Sequence, residues 1–464
     1  MQDVPAVDKR GAAGMSSLLV KRACRTLQAP RCRYITSWME NFDSPGAYLE
    51  ALHSRSRLPE GFHVGVTNIT FAPAERPSDK PYSMNLSLLL LDEPSPSFAG
   101  VFTRNSFCGH PVAHARSRLS MPVTRGVCVN TKIANVGSVG GDHDILRIVR
   151  ALAESTNADP GDFFSASTGI VGWKLPIDEM ERAIPELVRL TTLATMDQFA
   201  RGIMTTDRFP KVRSVSIGQG SIVAAAKGAG MIEPNMRTML AFVVTDIDID
   251  RRELQACLER VARRTFNRIS VDGDQSTSDM LLAFSSRRKP SVTGEQFESA
   301  LLRVCAALAE DIVRNGEGTS HVIRVKVEGA AAEEEALRVG KAVVNSPLVK
   351  TAIYGNDPNV GRILAAIGDD MGNHDADLDL SKVTLKLGEL EIFRGGRFHL
   401  DFQTESRLSD YLKSARLDPS MAGFPAHDRT VDISCDLGRG RNSAEVIGSD
   451  LSHEYVRENA DYRS

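Results

Sequence analysis

The chain has 464 residues, of which 42% are hydrophobic and 25% charged, a composition typical of a globular protein with material for two or three core-bearing units. Its net charge of -3 and pI near 6.4 give no electrostatic reason to expect nucleic acid or an anionic membrane as a partner. The longest apolar runs are far shorter than the roughly 20 residues of a membrane-spanning helix, so we expect a soluble protein.

The cysteines and histidines indicate neither a disulfide framework nor a metal site. The seven cysteines form no CxxC pair, and their odd number favours a reducing compartment. His110 and His114 have the spacing of two ligands on one helix face, but Pro111 argues against that helix. We therefore predict no metal.

The N-terminal segment has the composition of a targeting peptide. Residues 15–37 are rich in Arg, Lys, Ser and Thr and contain no acid, as in a mitochondrial presequence. Asp3 and Asp8 precede them and Met39 would make a natural start, so a disordered extension explains the segment equally well. We predict that residues 1–57 are a poorly ordered or targeting-like extension of a cytoplasmic protein, with the mitochondrial matrix as the alternative compartment.

Strand and helix patterns follow along the rest of the chain. Strands are predicted at 84–91, 99–103, 212–226 (a hairpin), 238–244 and 322–327, with several short strands near the C-terminus. Helices are predicted at 145–155 with Asp144 as the N-cap, and at 178–191, 251–266, 294–314 and 333–344. The Gly-Asp-rich loop at 271–279 is interpreted as a solvated turn rather than a cation site.

One stretch, residues 227–246, carries the candidate nucleophile. Gly228 and Gly230 allow the backbone to pass close to a ligand, and the turn at 234–235 leads to Thr238 at the head of an apolar strand. A threonine in that position is more often structural than catalytic. A Thr hydroxyl is also a weak nucleophile, so catalysis needs a base beside it.

Eight segments in a fixed order resemble the ornithine acetyltransferase (glutamate N-acetyltransferase) family from about residue 58 to the C-terminus. They are GVFTRN (100–105), SASTGIVG (165–172), IMTTD (203–207), KGAGMIEPNM with TML (227–240), SVDGDQSTSD (270–279), NGEGTS (315–320), YGNDPNVGRI (354–363) and HEYVRENADYRS (453–464). Each segment alone is weak evidence, but their common order is highly specific.

The resemblance implies an α/β fold of sheets sandwiched with helices and a self-cleaving chain. Cleavage between Arg237 and Thr238 would free Thr238 as an N-terminal nucleophile, whose α-amine, with an ordinary pKa of about 8, serves as the base. The mature protein would then consist of an α chain, with its folded part at 58–237, and a β chain at 238–464 with a C-terminal subdomain from about 335. Two copies of each would form a heterotetramer.

The resemblance also implies an activity and a site. Acetyl would pass from N-acetylornithine to glutamate through an acetyl-threonine, as a step of arginine biosynthesis. Thr168 and Gly169 match the family's oxyanion pair. The substrate site would consist of Thr205, Lys227, Thr238, Glu317, Asn459 and Ser464. The substrates are small amino acids, no cofactor is required, and acetyl-CoA is left open as an alternative donor.

Four departures from the family pattern keep other interpretations open. Arg237 replaces a small residue before the cleavage point, and Thr131-Lys132-Ile133 stands in a run that usually reads VVNSGNAN. His321 replaces a lysine, and Val360 an aromatic residue. The alternatives are a relative that acylates another amino acid in specialised metabolism, an N-terminal-nucleophile aminopeptidase, and an uncleaved binding or structural protein.

Overall fold

The computed structural model describes residues 42–77, 81–192, 194–233, 239–374, 376–417 and 429–461. The strands in these ranges are β1 (Phe62–Phe71), β2 (Tyr82–Ser95), β3 (Phe98–Phe102), β4 (Thr124–Asn130), β5 (Phe163–Ser167), β6 (Lys211–Ile217), β7 (Gly220–Lys227), β8 (Leu240–Ile247), β9 (Ile269–Ser270), β10 (Met280–Lys289), β11 (Val322–Ala330), β12 (Thr384–Leu387), β13 (Leu390–Arg394), β14 (Arg397–Phe398), β15 (Val431–Asp436) and β16 (Asn442–Ser449). The helices are α1 (Pro45–Arg55), α2 (His110–Arg118), α3 (Gly141–Thr156), α4 (Ile177–Arg189), α5 (Met196–Gly202), α6 (Arg251–Arg264), α7 (Gly294–Arg314), α8 (Glu333–Asn345), α9 (Pro347–Tyr354), α10 (Val360–Asn373), α11 (Phe402–Ala415) and α12 (His453–Ala460). Single-turn 3-10 helices lie at Pro160–Asp162, Leu190–Thr192 and Phe266–Arg268.

The strands form three sheets. The first has the order β1-β2-β4-β5, and its last pair is parallel. The second has the order β3-β10-β8-β7-β6, in which the central pair β10 and β8 is parallel and the other neighbours are antiparallel. The third, β14-β13-β12-β15-β11-β16-β9, lies mostly in the C-terminal part of the chain.

The first two sheets stack face to face between two layers of helices. Leu89 and Leu91 of β2 join the apolar layer between the sheets, which also contains Phe242 of β8. Leu88 and Leu90, which alternate with them, face the layer of α3 and α4. Residues 88–91 of β2 therefore form an unbroken apolar run, because both faces of the strand are covered there. On the far side, α6 and α7 cover the second sheet. The predicted α/β fold of sheets sandwiched with helices is confirmed.

The third sheet has its own core. Val325 and Val327 of β11 pack with Val339 and Val343 of α8, and residues of α10 and α11 complete the cluster. Apart from the edge strand β9 at 269–270, this sheet begins with β11 at 322, ahead of the predicted start of a C-terminal subdomain near 335. The short strands predicted for this region occur as β12 to β16, but the prediction missed helices α10 and α11.

The folded region begins earlier than the predicted boundary at residue 57. Helix α1 starts after the N-cap Ser44, whose side chain accepts a hydrogen bond from the Ala47 amide. Its Tyr48 and Leu52 are buried in the layer between the first two sheets. The hydroxyl of Tyr48 donates to the backbone oxygen of Pro210. Residues 45–55 therefore belong to the folded body and not to an extension.

Two other local predictions need correction. Helix α2 does form from His110, because Pro111 lies in its first turn, where a backbone N–H has no helical partner to lose. Helix α3 begins at Gly141 after Gly140, which has φ 80°, so Asp144 is a buried residue of the first turn and not the N-cap. In the described ranges, no helix is long and apolar enough to cross a membrane.

Candidate active site

The ends of two parallel strands build one wall of the candidate site. Strands β4 and β5 are in register up to their last residues, and the Thr168 amide extends the ladder by donating to the Asn130 oxygen at 3.1 Å. Parallel neighbours finish at the same edge of a sheet. Residues 131–132 and 168–169, which follow the two strands, are therefore side by side.

Gly169 occupies a position at which only glycine fits. Its φ of 127° suits only glycine, and a Cβ atom there would lie 2.2 Å from the carbonyl carbon of Lys132. Among the described residues, neither the Gly169 N–H nor the Thr168 hydroxyl has a hydrogen-bond partner. Both groups line one cavity, so two donors are available to a developing negative charge.

Lys227 enters the same cavity from the second sheet. It ends β7 and pairs in register with Leu240, the first residue of β8. Its ammonium donates to the Thr205 hydroxyl at 3.2 Å. Burial lowers the pKa of Lys227 from its ordinary value, although the Asp207 carboxylate acts to raise it. A lysine here can hold a carboxylate, because Lys227 lines the cavity.

The buried carboxylate of Asp207 fixes the part of the cavity wall around Lys227. Asp207 accepts hydrogen bonds from the Gly228 amide at 2.8 Å and the Thr205 amide at 3.1 Å, and it forms an ion pair with Lys211. Burial alone would raise the pKa of Asp207, but the two lysines outweigh burial and hold it below its ordinary value. The ionised carboxylate therefore orients Thr205 and the backbone after Lys227.

Glu317 supplies a negative charge to the lining of the cavity. Its backbone N–H donates to the Ala229 oxygen at 2.9 Å, and its carboxylate accepts from the Asn459 amide of α12 at 2.9 Å. A Cβ atom at Gly230 would come within 2.1 Å of that carboxylate, so the absence of a side chain at 230 makes room for it. Burial raises the pKa of Glu317.

These groups surround one cavity of about 300 Å³. The predicted residues that line it are Thr168, Gly169, Thr205, Lys227, Glu317 and Asn459. Met239, which follows Thr238 in the chain, lines it too. Arg237, Thr238 and Ser464 lie outside the described residues. Every predicted site residue that the structure describes therefore contributes to a single cavity.

The interpretation of loop 271–279 as a solvated turn was correct only in part, since residues 273–275 are exposed and the rest of the loop is not. Residues 276–279 line the cavity, and Asp279 is buried. Asp272 accepts the backbone N–H groups of Met231 at 2.6 Å and Ile232 at 2.8 Å. The only sequence signal for this role was a polar run directly before the buried strand β10. No group of three or more His, Cys, Asp or Glu in the described ranges could hold a metal ion.

His321, one of the departures from the family pattern, does not line the cavity. It is fully buried, with Nδ1 2.8 Å from the Asp450 carboxylate and Nε2 3.2 Å from the Leu412 oxygen. Both ring nitrogens therefore contact buried oxygen atoms. The substitution lies in the core beside Asp450 and outside the cavity lining.

Comparison with known proteins gives the family. The ArgJ family model matches residues 76–464. The chain is 40% identical over 419 residues to the arginine biosynthesis bifunctional protein ArgJ of Dehalococcoides mccartyi, covering 87% of this chain and 96% of that protein. It is 39% identical over 386 residues to the glutamate N-acetyltransferase of Methanopyrus kandleri, covering 81% and 95%. A solved structure of ArgJ from Bacillus halodurans aligns with a TM-score of 0.42 and 36% identity, over 48% of this chain and 100% of that one. The resemblance drawn from the motifs is confirmed, and the chain belongs to the ArgJ family.

Proposed function

We propose that this protein is a self-processing acetyltransferase that moves acetyl from N-acetylornithine to glutamate through an acetyl ester of Thr238. One observation carries the proposal. Two unpartnered donors, from Thr168 and Gly169, share a cavity with Lys227 and Glu317, and the residue after Thr238 lines that cavity. The names of the relatives in Dehalococcoides mccartyi and Methanopyrus kandleri support the same activity.

The first step is cleavage of the chain. The Thr238 hydroxyl attacks the Arg237 carbonyl carbon, the C–N bond breaks, and the acyl group moves from nitrogen to oxygen. Water then hydrolyses this ester, which leaves a carboxylate on Arg237 and a free α-amine on Thr238. That amine is the base that the hydroxyl lacked, because its ordinary pKa of about 8 suits proton transfer near neutral pH.

Acetyl transfer then takes place in two half-reactions. The Thr238 oxygen attacks the acetyl carbonyl and its proton passes to the α-amine, while the Thr168 hydroxyl and the Gly169 N–H hold the oxyanion. The amide C–N bond breaks, and ornithine leaves with that proton. The glutamate amine next attacks the ester, the C–O bond breaks, and the Thr238 hydroxyl is restored as N-acetylglutamate leaves.

The charges of the cavity match the donor. Lys227 can hold the α-carboxylate of N-acetylornithine, and Glu317 can hold its side-chain ammonium. The Asn459 amide contacts one carboxylate oxygen of Glu317 and thereby orients it. Two opposite charges in one small cavity select an amino acid that carries both a carboxylate and an ammonium group, and this is the substrate class we propose.

Mass spectrometry of purified protein tests the proposal. We expect two chains that separate between residues 237 and 238, and an acetyl increment on the peptide that begins at Thr238 after an acid quench with N-acetylornithine alone. The Thr238→Ala variant should remain one chain, and Thr238→Ser should still cleave. Cleavage of Thr238→Ala at this bond would refute the mechanism. Acetylation of any other residue during turnover would also refute it.

We propose further that the fragments assemble as two α and two β chains in the cytoplasm. The cysteines in the described ranges, at 108, 128, 257, 305 and 435, are all free thiols, which favours a reducing compartment. Sedimentation of the purified protein measures the assembly, and a mass of one α and one β chain would contradict the tetramer.

A further inference from the structure

A second cavity adjoins the first at residues 168–170, which follow β5 and are called the oxyanion loop below. It has a volume of about 500 Å³ and shares four lining residues with the first cavity, at 169–170 and 205–206. The rest of its lining consists of Ser83, Asn85, Thr131, Lys132, Met204 and Glu458. A ligand whose reacting carbon lies at Gly169 can therefore extend in either of two directions.

Lys132 adopts a backbone conformation that is unusual for a residue with a side chain. Its φ is 69°, in the left-handed region, which costs an L-residue roughly 1–2 kcal/mol. Its carbonyl accepts the Ile170 amide at 2.9 Å, and its backbone is in close contact with Gly169, so the loop conformation is fixed. A strained backbone at a residue that lines a cavity is a reason to look for a function.

The ammonium of Lys132 is available to a ligand. Its Nζ lies 5.2 Å from the centre of the Tyr82 ring, and no carboxylate in the described ranges is within ion-pair distance of it. Glu458, the carboxylate in the lining of this cavity, is already paired with Arg208 at 2.8 Å. The remaining polar lining residues are neutral, so the cavity presents one uncompensated positive charge.

The two substrates of the proposed reaction react at the same nucleophile but carry opposite charges at the ends of their side chains. N-acetylornithine ends in an ammonium group, which suits Glu317 in the first cavity. Glutamate ends in a carboxylate, which Glu317 would repel in the same position. Placing that carboxylate in the second cavity removes the conflict, because the two cavities meet at the oxyanion loop.

We propose that Lys132 binds the side-chain carboxylate of the acetyl acceptor in this second cavity and so determines the preference for an acidic acceptor. The inference rests on the proposed acetyl transfer and adds the position of one substrate. Donor and acceptor then share the reacting centre at Gly169 but extend into different cavities. Lys132 does not take part in proton transfer, which stays with the α-amine of Thr238.

The test compares two half-reactions and two acceptors in Lys132→Met and Lys132→Arg, with the exposed Lys174→Met as the matched control. In Lys132→Met the KM for glutamate should rise about tenfold, the usual effect of losing one charge-assisted contact. The rate at which N-acetylornithine acetylates the Lys132→Met enzyme should change far less than the KM for glutamate. The preference for glutamate over glutamine should fall by the same factor, since glutamine has no charge to lose. Lys132→Arg should restore the preference, and Lys174→Met should leave it unchanged.

Calorimetry of glutamate and glutamine with the mature wild-type protein gives a readout that does not require acetyl transfer. Glutamate should bind more tightly than glutamine, and Lys132→Met should abolish the difference. Equal effects of Lys132→Met on both half-reactions, or an unchanged glutamate preference, would overturn the inference and leave the acetyltransferase proposal standing. A wild-type protein that binds glutamate through Lys132 but forms no acetyl ester would overturn the acetyltransferase proposal alone.

Discussion

The carboxylate of Asp272 and the backbone amide of Ile232 are 2.8 Å apart, and the second oxygen of that carboxylate receives the Met231 amide at 2.6 Å. The neighbouring Glu233 amide donates to the Asp274 oxygen at 3.1 Å, and the Val271 amide donates to the Ile232 oxygen at 2.6 Å. The segment that leads to the proposed cleavage point is thus fixed to loop 271–274. Attack on a carbonyl requires accurate placement, so this attachment has a kinetic consequence.

We predict that Asp272→Asn slows self-cleavage by about tenfold or more, because an amide cannot accept both N–H groups. Denaturing gels at timed intervals after synthesis measure the fraction of intact chain. Asp274→Asn is the matched control, since its side chain is exposed and it contacts Glu233 through its backbone. Cleavage of Asp272→Asn at the wild-type rate would show that the attachment has no part in processing.

Removal of the Thr168 hydroxyl should lower turnover by about 10²–10³-fold, the typical loss for one oxyanion donor. Thr168→Val keeps the shape of the side chain and removes only the donor. The rate is measured with N-acetylornithine and glutamate on protein that has already been cleaved. A correctly cleaved Thr168→Val with wild-type turnover would remove Thr168 from the mechanism.

Glu317 should give donor binding a distinct pH dependence. Burial raises its pKa above the ordinary 4.5, so it takes up a proton at a higher pH than an exposed glutamate. As the pH falls through that raised pKa, the carboxylate becomes neutral and kcat/KM for N-acetylornithine falls. In Glu317→Gln, this fall of kcat/KM at low pH should be absent, and the KM for N-acetylornithine should be high at every pH. Glu454→Gln, on the same helix as Asn459, should keep the wild-type profile.

His321 should matter for stability and not for specificity. Replacing it by leucine removes the ring contacts to the buried Asp450 carboxylate and the Leu412 oxygen, which costs about 1–3 kcal/mol. His321→Lys supplies a donor to the same acceptors and should recover part of the loss. Thermal unfolding measures both, with the exposed His399→Leu as the control. A His321→Leu protein that unfolds at the wild-type temperature would contradict a stabilising role for these buried contacts.

Much of the fold could be predicted because local signals agreed with the tertiary structure. Helix α7 runs over the predicted 294–314, since the Thr293 cap, the amphipathic pattern and Asn315 all mark its limits. Helix α2 was missed because Pro111 reads as a helix breaker unless its first-turn position is known. Helices α10 and α11 were missed because their pattern is set by packing on the third sheet.

The candidate site, like the fold, could be predicted from the sequence only in part. Thr168, Lys227 and Glu317 were predicted through motifs, yet nothing in the sequence indicated that β4 ends beside β5 and brings Lys132 to the oxyanion loop. The role of Asp272 could not be predicted from the sequence either. It depends on a contact between residues 40 apart in the sequence, and no local pattern indicates such contacts.

The second sheet interleaves strands from both sides of the proposed cleavage point. Strands β3, β6 and β7 precede it, β8 and β10 follow it, and β10 lies between β3 and β8. Before cleavage, the chain can refold as a single molecule. After cleavage, the same sheet must be reassembled from two partners, so recovery from unfolding becomes dependent on concentration. After processing, unfolding would no longer be readily reversible. The lifetime of the mature enzyme would then depend on its unfolding rate, which is kinetic stability.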